Sequence, residues 1–432
     1  MNSKSYYSLA IVGTCGLPAR YGGFETLASE LVEHIAADNF RILVFGQNGY
    51  QPLFCSSWRQ VILPFKANGV SSIPYDIVSL LWASLCSQTV LLLGVSGCVA
   101  LPVLRILFPG VTYIVHIDGL EWSRPKWSSF ARWFLRISER IAIHVADAFI
   151  VDNIGIADYV ARSYGRRYLR RSFLVAYGAK PPTIPAISEN PIHVIDGVTG
   201  EILHLVDSKY LLVLARAEPE NNIEMIIEAF ILSGIASEGI KLVLVTNAFD
   251  TLHGAALIQK YSIHKCLCFA MPVYDWRIVR SIRSHAMAYV HGHSAGGTNP
   301  SLVEALAAER PILAFDVPYN RYTTFGLVSY FQSSIDLSAS LSFLAREGLE
   351  FIPELGPLVR SSYDWKTVAG DYRRLFDHLV ESDSRGVRLL CGRAFLRFKR
   401  KSYSFLVLLL LRLRGSCRRS SRQYESDLPR NT

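Results

Sequence analysis

The run "YSLAIVG" is apolar without a break from Leu9 to Val12, and "FETLASELVEHI", which follows a polar glycine loop, sets Phe24, Leu27, Ala28, Leu31, Val32 and Ile35 at helical spacing. A short, wholly apolar run predicts a strand buried on both faces, and the stripe behind it predicts a helix laid on the sheet. The same phrase restarts near residue 210 with strand "YLLVLA", loop "RAEPENN" and helix "IEMIIEAFIL". "KLVLVTNA", "CLCFAMPV", "AMAYVHG" and "RPILAFDV" follow as β-rich runs separated by helical segments, the rhythm of a second parallel sheet. The pattern predicts an α/β protein of two doubly wound, Rossmann-like layers.

The two halves join in "YGAKPPTIPAISENPIHVIDGVTGE", Tyr177 to Glu201, which is rich in proline near its start and has no strong period. The expected organisation is a first domain over 1–176, a linker with room for a small hairpin over 177–209, a second domain over 210–384 and a tail over 385–432. A chain of 432 residues, 50% of them hydrophobic, can fill two such cores. A cleft between them is the natural site.

A further apolar region, Ile73 to Phe108, carries only Asp76 and Arg105 as charges. Gly94, Gly97 and Pro102 interrupt it, and "TVLLLG" reads as a buried parallel strand ending in a glycine turn, so core is the expectation and a membrane-contacting helix the alternative.

Charge separates the tail from the body. The formal net charge is +9, but 13 Lys/Arg and 2 Asp/Glu fall after residue 384, leaving 32 against 34 before it. Within the tail, Phe405 to Leu411 is an uninterrupted apolar run between cationic clusters. It is too short to cross a bilayer, which takes about 20 residues, but suited to lying in the interface of an anionic membrane. A solvated basic tail is the alternative. No aromatic platform accompanies the charge, so nucleic-acid binding is not expected. The 8 cysteines lack zinc spacing and the N-terminus lacks a signal-peptide core, so a reduced, cytoplasmic setting at the inner face of the membrane is expected.

Glycine loops that feed helices can present unpaired backbone N–H groups to an anion. Gly22 and Gly23 form one such loop; Gly296 and Gly297 form another, with Pro300 in the first helical turn and Thr298 or Asn299 as cap. The glycines of the first loop do not match the dinucleotide fingerprint, which disfavours a dehydrogenase. Arg216 follows a buried strand at its carboxyl end, where a guanidinium can neutralise a diphosphate, unless it pairs with Glu218 or Glu220. Glu304 is placed either to accept hydrogen bonds from vicinal hydroxyls or simply to stabilise its helix. His291 and His293 have no ligand-spaced partner, so hydrogen bonding is expected of them and a metal is not.

"IVGTCGLPARYGGFETLASEL", "HIDGLEWSRPKW", "ADAFIVDNIGIADYV", "ARAEPENNIEMIIEAF" and "HGHSAGGTNPSLVEAL" together resemble bacterial family 4 glycosyltransferases of the GT-B fold, specifically the rhamnosyltransferase-like subgroup of capsule and exopolysaccharide biosynthesis. The resemblance spans roughly residues 6 to 382. It implies two Rossmann-like domains facing across a cleft, a nucleoside-diphosphate sugar held mainly by the second, a polyprenyl-diphosphate-linked saccharide held by the first, and no metal or other cofactor. It implies that Gly22 and Gly23 approach the donor diphosphate, that Arg216 binds it, that Glu304 binds the ribose, and that Asp118 stands where many relatives place a histidine near the reacting sugar. The helix "YDWKTVAGDYRRLF", with Trp365, Tyr372 and Phe376, resembles the family's closing helix.

Two positions depart from the wider family. Gly296 replaces a Glu eight residues before Glu304, and Asn221 replaces a lysine five residues after Arg216. The subgroup shares both changes, and backbone donors from Gly296 to Asn299 with the side chains of Glu218 and Asn221 are expected to substitute. The implied chemistry is glycosyl transfer with retention, the donor phosphate taking the acceptor proton and Arg216 neutralising the leaving diphosphate. A binding protein without catalysis and a GT-B epimerase or hydrolase remain the alternatives.

Overall fold

The computed structural model describes residues 7–384 apart from 20–21, 37–39, 56, 68, 118, 125–126, 181–192 and 274. The tail 385–432 and Asp118 therefore lie outside the described residues.

The first sheet has eight strands: β1 (Tyr7–Val12), β2 (Phe40–Gln47), β3 (Leu53–Phe54), β4 (Trp58–Leu63), β5 (Thr89–Leu93), β6 (Thr112–Ile117), β7 (Ala148–Val151) and β8 (Ser172–Leu174). They lie in the order β3-β4-β2-β1-β5-β6-β7-β8, parallel except for the short edge strand β3. β1 is central, with Leu9 level with Ile42 on one side and Thr89 on the other. Its side chains alternate between two cores. Leu9 and Ile11 face α1 (Gly23–Ile35), while Ala10 and Val12 face α2 (Ser72–Cys86), α3 (Leu101–Leu107) and α4 (Ser129–Val145). That two-sided burial is why the strand has no polar position from Leu9 to Val12. α5 (Ile154–Ser163) completes this half.

β9 (His193–Ile195) and β10 (Ile202–His204) form the small antiparallel hairpin allowed for in the linker. The second sheet then follows, with β11 (Tyr210–Leu214), β12 (Lys241–Val245), β13 (Leu267–Ala270), β14 (Ala288–His291), β15 (Ile312–Phe315) and β16 (Ser329–Phe331) in the order β13-β12-β11-β14-β15-β16. The order reverses beside β11, between β11 and β14, the switch point at which open α/β sheets bind ligands. Its helices are α6 (Ile223–Ser233), α7 (Leu252–Tyr261), α8 (Trp276–His285), α9 (Pro300–Leu306), α10 (Pro318–Thr323), α11 (Ser334–Glu347) and α12 (Leu355–Tyr363).

α13 (Trp365–Ser384) returns to the first half. Trp365, Val368, Ala369, Tyr372, Leu375 and Phe376 recur at three- and four-residue steps and join Leu27, Leu31 and Ile35 of α1 in one core. The closing helix implied by the resemblance is thus seen packing on the first sheet.

The apolar stretch from Ile73 to Phe108 divides between core and surface. β5 and the inner faces of α2 and α3 are buried, but Val103, Ile106 and Leu107 on the outer face of α3 are exposed, so core describes only part of it. Among the described residues no helix is long and apolar enough to cross a membrane.

Asp76 is fully enclosed on α2, accepting a short hydrogen bond from Ser96. Burial pushes its carboxyl up to about 7 against the opposing pull of Ser96. A carboxyl raised above its unfolded value contributes its stability in full at acidic pH and loses it as pH rises through 7. Asp76→Asn removes that loss. Its stability advantage over the wild type is expected to widen by about 2–3 kcal/mol between pH 5 and pH 8 in urea titrations, one pKa unit being worth about 1.4 kcal/mol. A gap independent of pH would show that Asp76 ionises freely.

Candidate functional site

The carboxyl ends of the two sheets face each other, and their loops touch. A Cβ on Gly119, just past β6, would lie 2.4 Å from the backbone carbon of Gly296, so only glycine allows this approach. Gly23 is pressed the same way, 2.9 Å from Pro300 by the same measure. Gly22 and Gly23 do not form a left-handed turn. Gly22 is extended at φ −161° and caps α1, while the positive φ angles fall earlier in the loop, at Gly13 and Gly16. The need for glycine at position 23 is closeness to the second half.

Asp152 and Asn153, which follow β7, tie the halves together. Thr298 donates its backbone N–H to Asp152 Oδ2 at 3.0 Å and its hydroxyl to the Asp152 carbonyl. Asn153 Nδ2 donates to Tyr319 O and Thr323 Oγ1, both at 3.2 Å. Of the two cap candidates, Asn299 caps α9, accepting from Ser301 N–H at 2.9 Å. One expectation is corrected here. The N–H of Thr298, expected to be a backbone donor for the diphosphate, is already given to the Asp152 carboxylate.

Arg216 stands exposed at the end of β11. It makes no ion pair with Glu218 or Glu220 among the described residues; Glu220 is buried and Glu218 is half-buried. Asn221 departs from its expected role in donor contact. Its amide donates to Arg216 O at 2.8 Å and its oxygen meets His293 Nδ1 at 2.8 Å, so it is buried and braces the arginine loop.

His293 is held uncharged, at about 3, by burial and by the guanidinium charges of Arg124 and Arg216. Those two arginines come from different halves of the molecule. Arg124 lies in the loop after β6, its Nε 2.8 Å from Glu121, which also accepts from Trp127 Nε1 at 2.9 Å. Glu139, buried on α4, anchors that loop by accepting from Trp122 Nε1 at 3.0 Å and from the hydroxyls of Tyr159 and Tyr164 at 2.7 Å each. Arg216 has no carboxylate at ion-pair distance among the described residues, whereas Arg124 is paired with Glu121, so Arg216 is the cation that an incoming anion meets favourably.

Glu304 does not end in open space. Its Oε2 is 2.6 Å from Nη2 of Arg283 on α8, a side chain only 6% exposed. Neither reading of this residue, hydroxyl acceptor or helix-stabilising charge, included this ion pair. His116, at the end of β6, is buried against Phe24 with ring centroids 5.3 Å apart, and burial lowers it to about 4.

Reading the sequence did not single out Arg124, Asp152, Asn153 or Arg283. Asp152 and Asn153 follow directly on a strand of the first sheet, the same kind of position that marked Arg216 in the second, and Arg124 lies seven residues past β6. Arg283 gave no such signal, because its partner is 21 residues away on another helix.

Comparison with known proteins bears on the fold. Residues 100–180 match a domain of unknown function, DUF1972, which covers the loop of Arg124 and the Asp152–Asn153 pair. No curated protein matches the sequence. Among solved structures, sucrose-phosphate synthase from Thermosynechococcus elongatus superposes with a TM-score of 0.70 at 15% identity, over 87% of this chain and 100% of that one. Anabaena HepE in complex with UDP-glucose gives 0.61 at 12% identity, over 87% and 99%. The E. coli trehalose-6-phosphate structure bound with UDP-2-fluoro glucose gives 0.59 at 10%, over 85% and 98%. These neighbours are GT-B glycosyltransferases built of two Rossmann-like domains, and the present chain has the GT-B fold.

Proposed function

We propose that this protein is a glycosyltransferase that moves a sugar from a nucleoside-diphosphate donor to a lipid-linked saccharide during cell-surface polysaccharide synthesis. The observation that carries the reading is Arg216, exposed past the carboxyl end of β11 beside the switch point of the second sheet, with no ion-pair partner among the described residues. The solved neighbours bound to UDP-sugars support a nucleotide sugar as the ligand.

In the proposed reaction the bond between the anomeric carbon and the diphosphate oxygen breaks as the acceptor hydroxyl attacks from the same face. The departing phosphate oxygen takes the acceptor proton, so configuration is retained and a nucleoside diphosphate is released. Charge grows on the diphosphate as the bond stretches, and Arg216 with Arg124 neutralises it. Asp118 is proposed to orient the sugar, and Glu304, through the oxygen not given to Arg283, to accept from the ribose. A deoxyhexose such as rhamnose is the proposed sugar and polyprenyl diphosphate the proposed lipid carrier, both from the resemblance of the motifs. No metal is assigned a role in the proposed reaction.

The test is product analysis with UDP-, GDP- and dTDP-sugars and a polyprenyl-diphosphate-linked saccharide. A glycolipid longer by one sugar, formed with a matching donor only, is expected by mass. Donor consumption without acceptor would make the protein an epimerase or hydrolase. Stabilisation by a nucleotide sugar with no product would leave it a binding protein.

A further inference from the structure

Among the described residues, α3 and α4 expose a group of large apolar side chains. Ile106 on α3 is 80% exposed, Phe130 on α4 is 73% and Trp133 is 59%, with Val103 and Leu107 open beside Ile106. α3 and α4 share a core through Leu101, Leu104, Leu135 and Ala142, and Arg105 ties α3 to Asp147, just past α4, at 2.7 Å. Their outer sides therefore belong to one face.

The exposed charges of α4 have one sign. Arg132, Arg136 and Arg140 are all exposed on α4, whereas its only acid, Glu139, is buried in the Trp122–Tyr159–Tyr164 cluster. Trp133, Arg136 and Arg140 repeat at three and four residues and so form a single stripe, with Phe130 one turn before it. Ten residues of helix from Phe130 to Arg140 make the stripe about 15 Å long. A protein partner recognised through aromatic residues would leave three adjacent guanidiniums to be matched by an acidic surface. A bilayer matches both at once, because Trp and Phe settle at the headgroup level while Arg side chains reach the phosphates.

We propose that the outer face of α3 and α4 docks on an anionic phospholipid bilayer. α4 begins at Ser129, five residues after Arg124, so docking brings the mouth of the cleft to the headgroups. The surface rests on the glycosyl-transfer reading for its purpose, to meet a lipid-linked acceptor, and not for its existence. It is separate from the tail beyond residue 384.

The experiment uses the full chain and vesicles of phosphatidylcholine with or without 30% phosphatidylglycerol, in the absence of any sugar. Phe130→Ser/Trp133→Ser is expected to lower the partition coefficient on the anionic vesicles at least about tenfold, and Arg136→Gln/Arg140→Gln to lower it less and to flatten its salt dependence. Brominated lipid should quench tryptophan emission in the wild type and less in Trp133→Phe, which isolates one of 7 tryptophans. Unchanged partition in the aromatic variant, or equal quenching in Trp133→Phe, would assign any membrane binding to the tail and overturn the proposal. So would a concentration-dependent dimer that the aromatic variant abolishes, since the face would then be a subunit contact. Activity on a water-soluble acceptor is expected to survive in the aromatic variant. Loss of transfer in the wild type would reject the enzyme reading while leaving the vesicle result intact.

Discussion

Arg216→Ala is expected to lower kcat/KM for the donor sugar by roughly 10²–10³-fold, the range found when one preorganised donor to a developing oxyanion is removed. The expectation rests on where Arg216 stands. It is exposed at the carboxyl end of β11 beside the sheet's switch point, it has no ion-pair partner among the described residues, and its backbone is braced by Asn221. Its own folding role is therefore small, and the variant should melt and scatter like the wild type. Because diphosphate charge is greatest as the glycosidic bond breaks, kcat should fall more than KM rises. Arg216→Lys should recover part of the rate, since an ammonium restores charge but not a two-pronged contact. Stabilisation of the protein by the free nucleoside diphosphate should weaken in parallel. Full turnover in Arg216→Ala would remove the arginine from the reaction and leave Arg124 as the cation to test.

The sheets were legible because burial on both faces forbids polar residues. "LAIV", "VLLL", "YLLVL" and "LVLV" are the apolar cores of four interior strands. The closing helix was named from the resemblance of its motif, and the linker hairpin was only allowed for, because that stretch has no strong period. The site was legible in part. Strand ends pointed to Arg216, and glycines pointed to the two loops, but sequence treats each loop as facing a ligand. It could not reveal that Gly23 and Gly296 face the other half of the protein, or that Asp152 accepts the Thr298 N–H across the cleft. Such contacts join residues 146 positions apart and leave no local pattern. The same holds for Glu304, where a helical position was visible and an ion pair to another helix was not.

That ion pair makes Glu304→Ala a test of stability before it is a test of binding. Arg283 is 6% exposed, its Nε has no hydrogen-bond acceptor, and Glu304 supplies the counter-charge at 2.6 Å. Removing the carboxylate leaves a buried guanidinium uncompensated, which typically costs 3–5 kcal/mol, and the partial exposure of Glu304 lets water recover some of it. A loss of about 2–4 kcal/mol is expected by denaturant titration of the second domain's transition. Arg283→Met added to Glu304→Ala removes the orphaned charge with a side chain of similar reach, so the double variant should regain most of that loss. Donor affinity then separates two roles that the single variant confuses. If Glu304 also holds the ribose, the restabilised double variant binds the nucleotide sugar at least about tenfold more weakly than wild type, the cost of one lost charged hydrogen bond. Wild-type affinity in that variant would confine Glu304 to the ion pair with Arg283. A single variant as stable as wild type would mean that Arg283 finds another acceptor, and the pair would carry no structural weight.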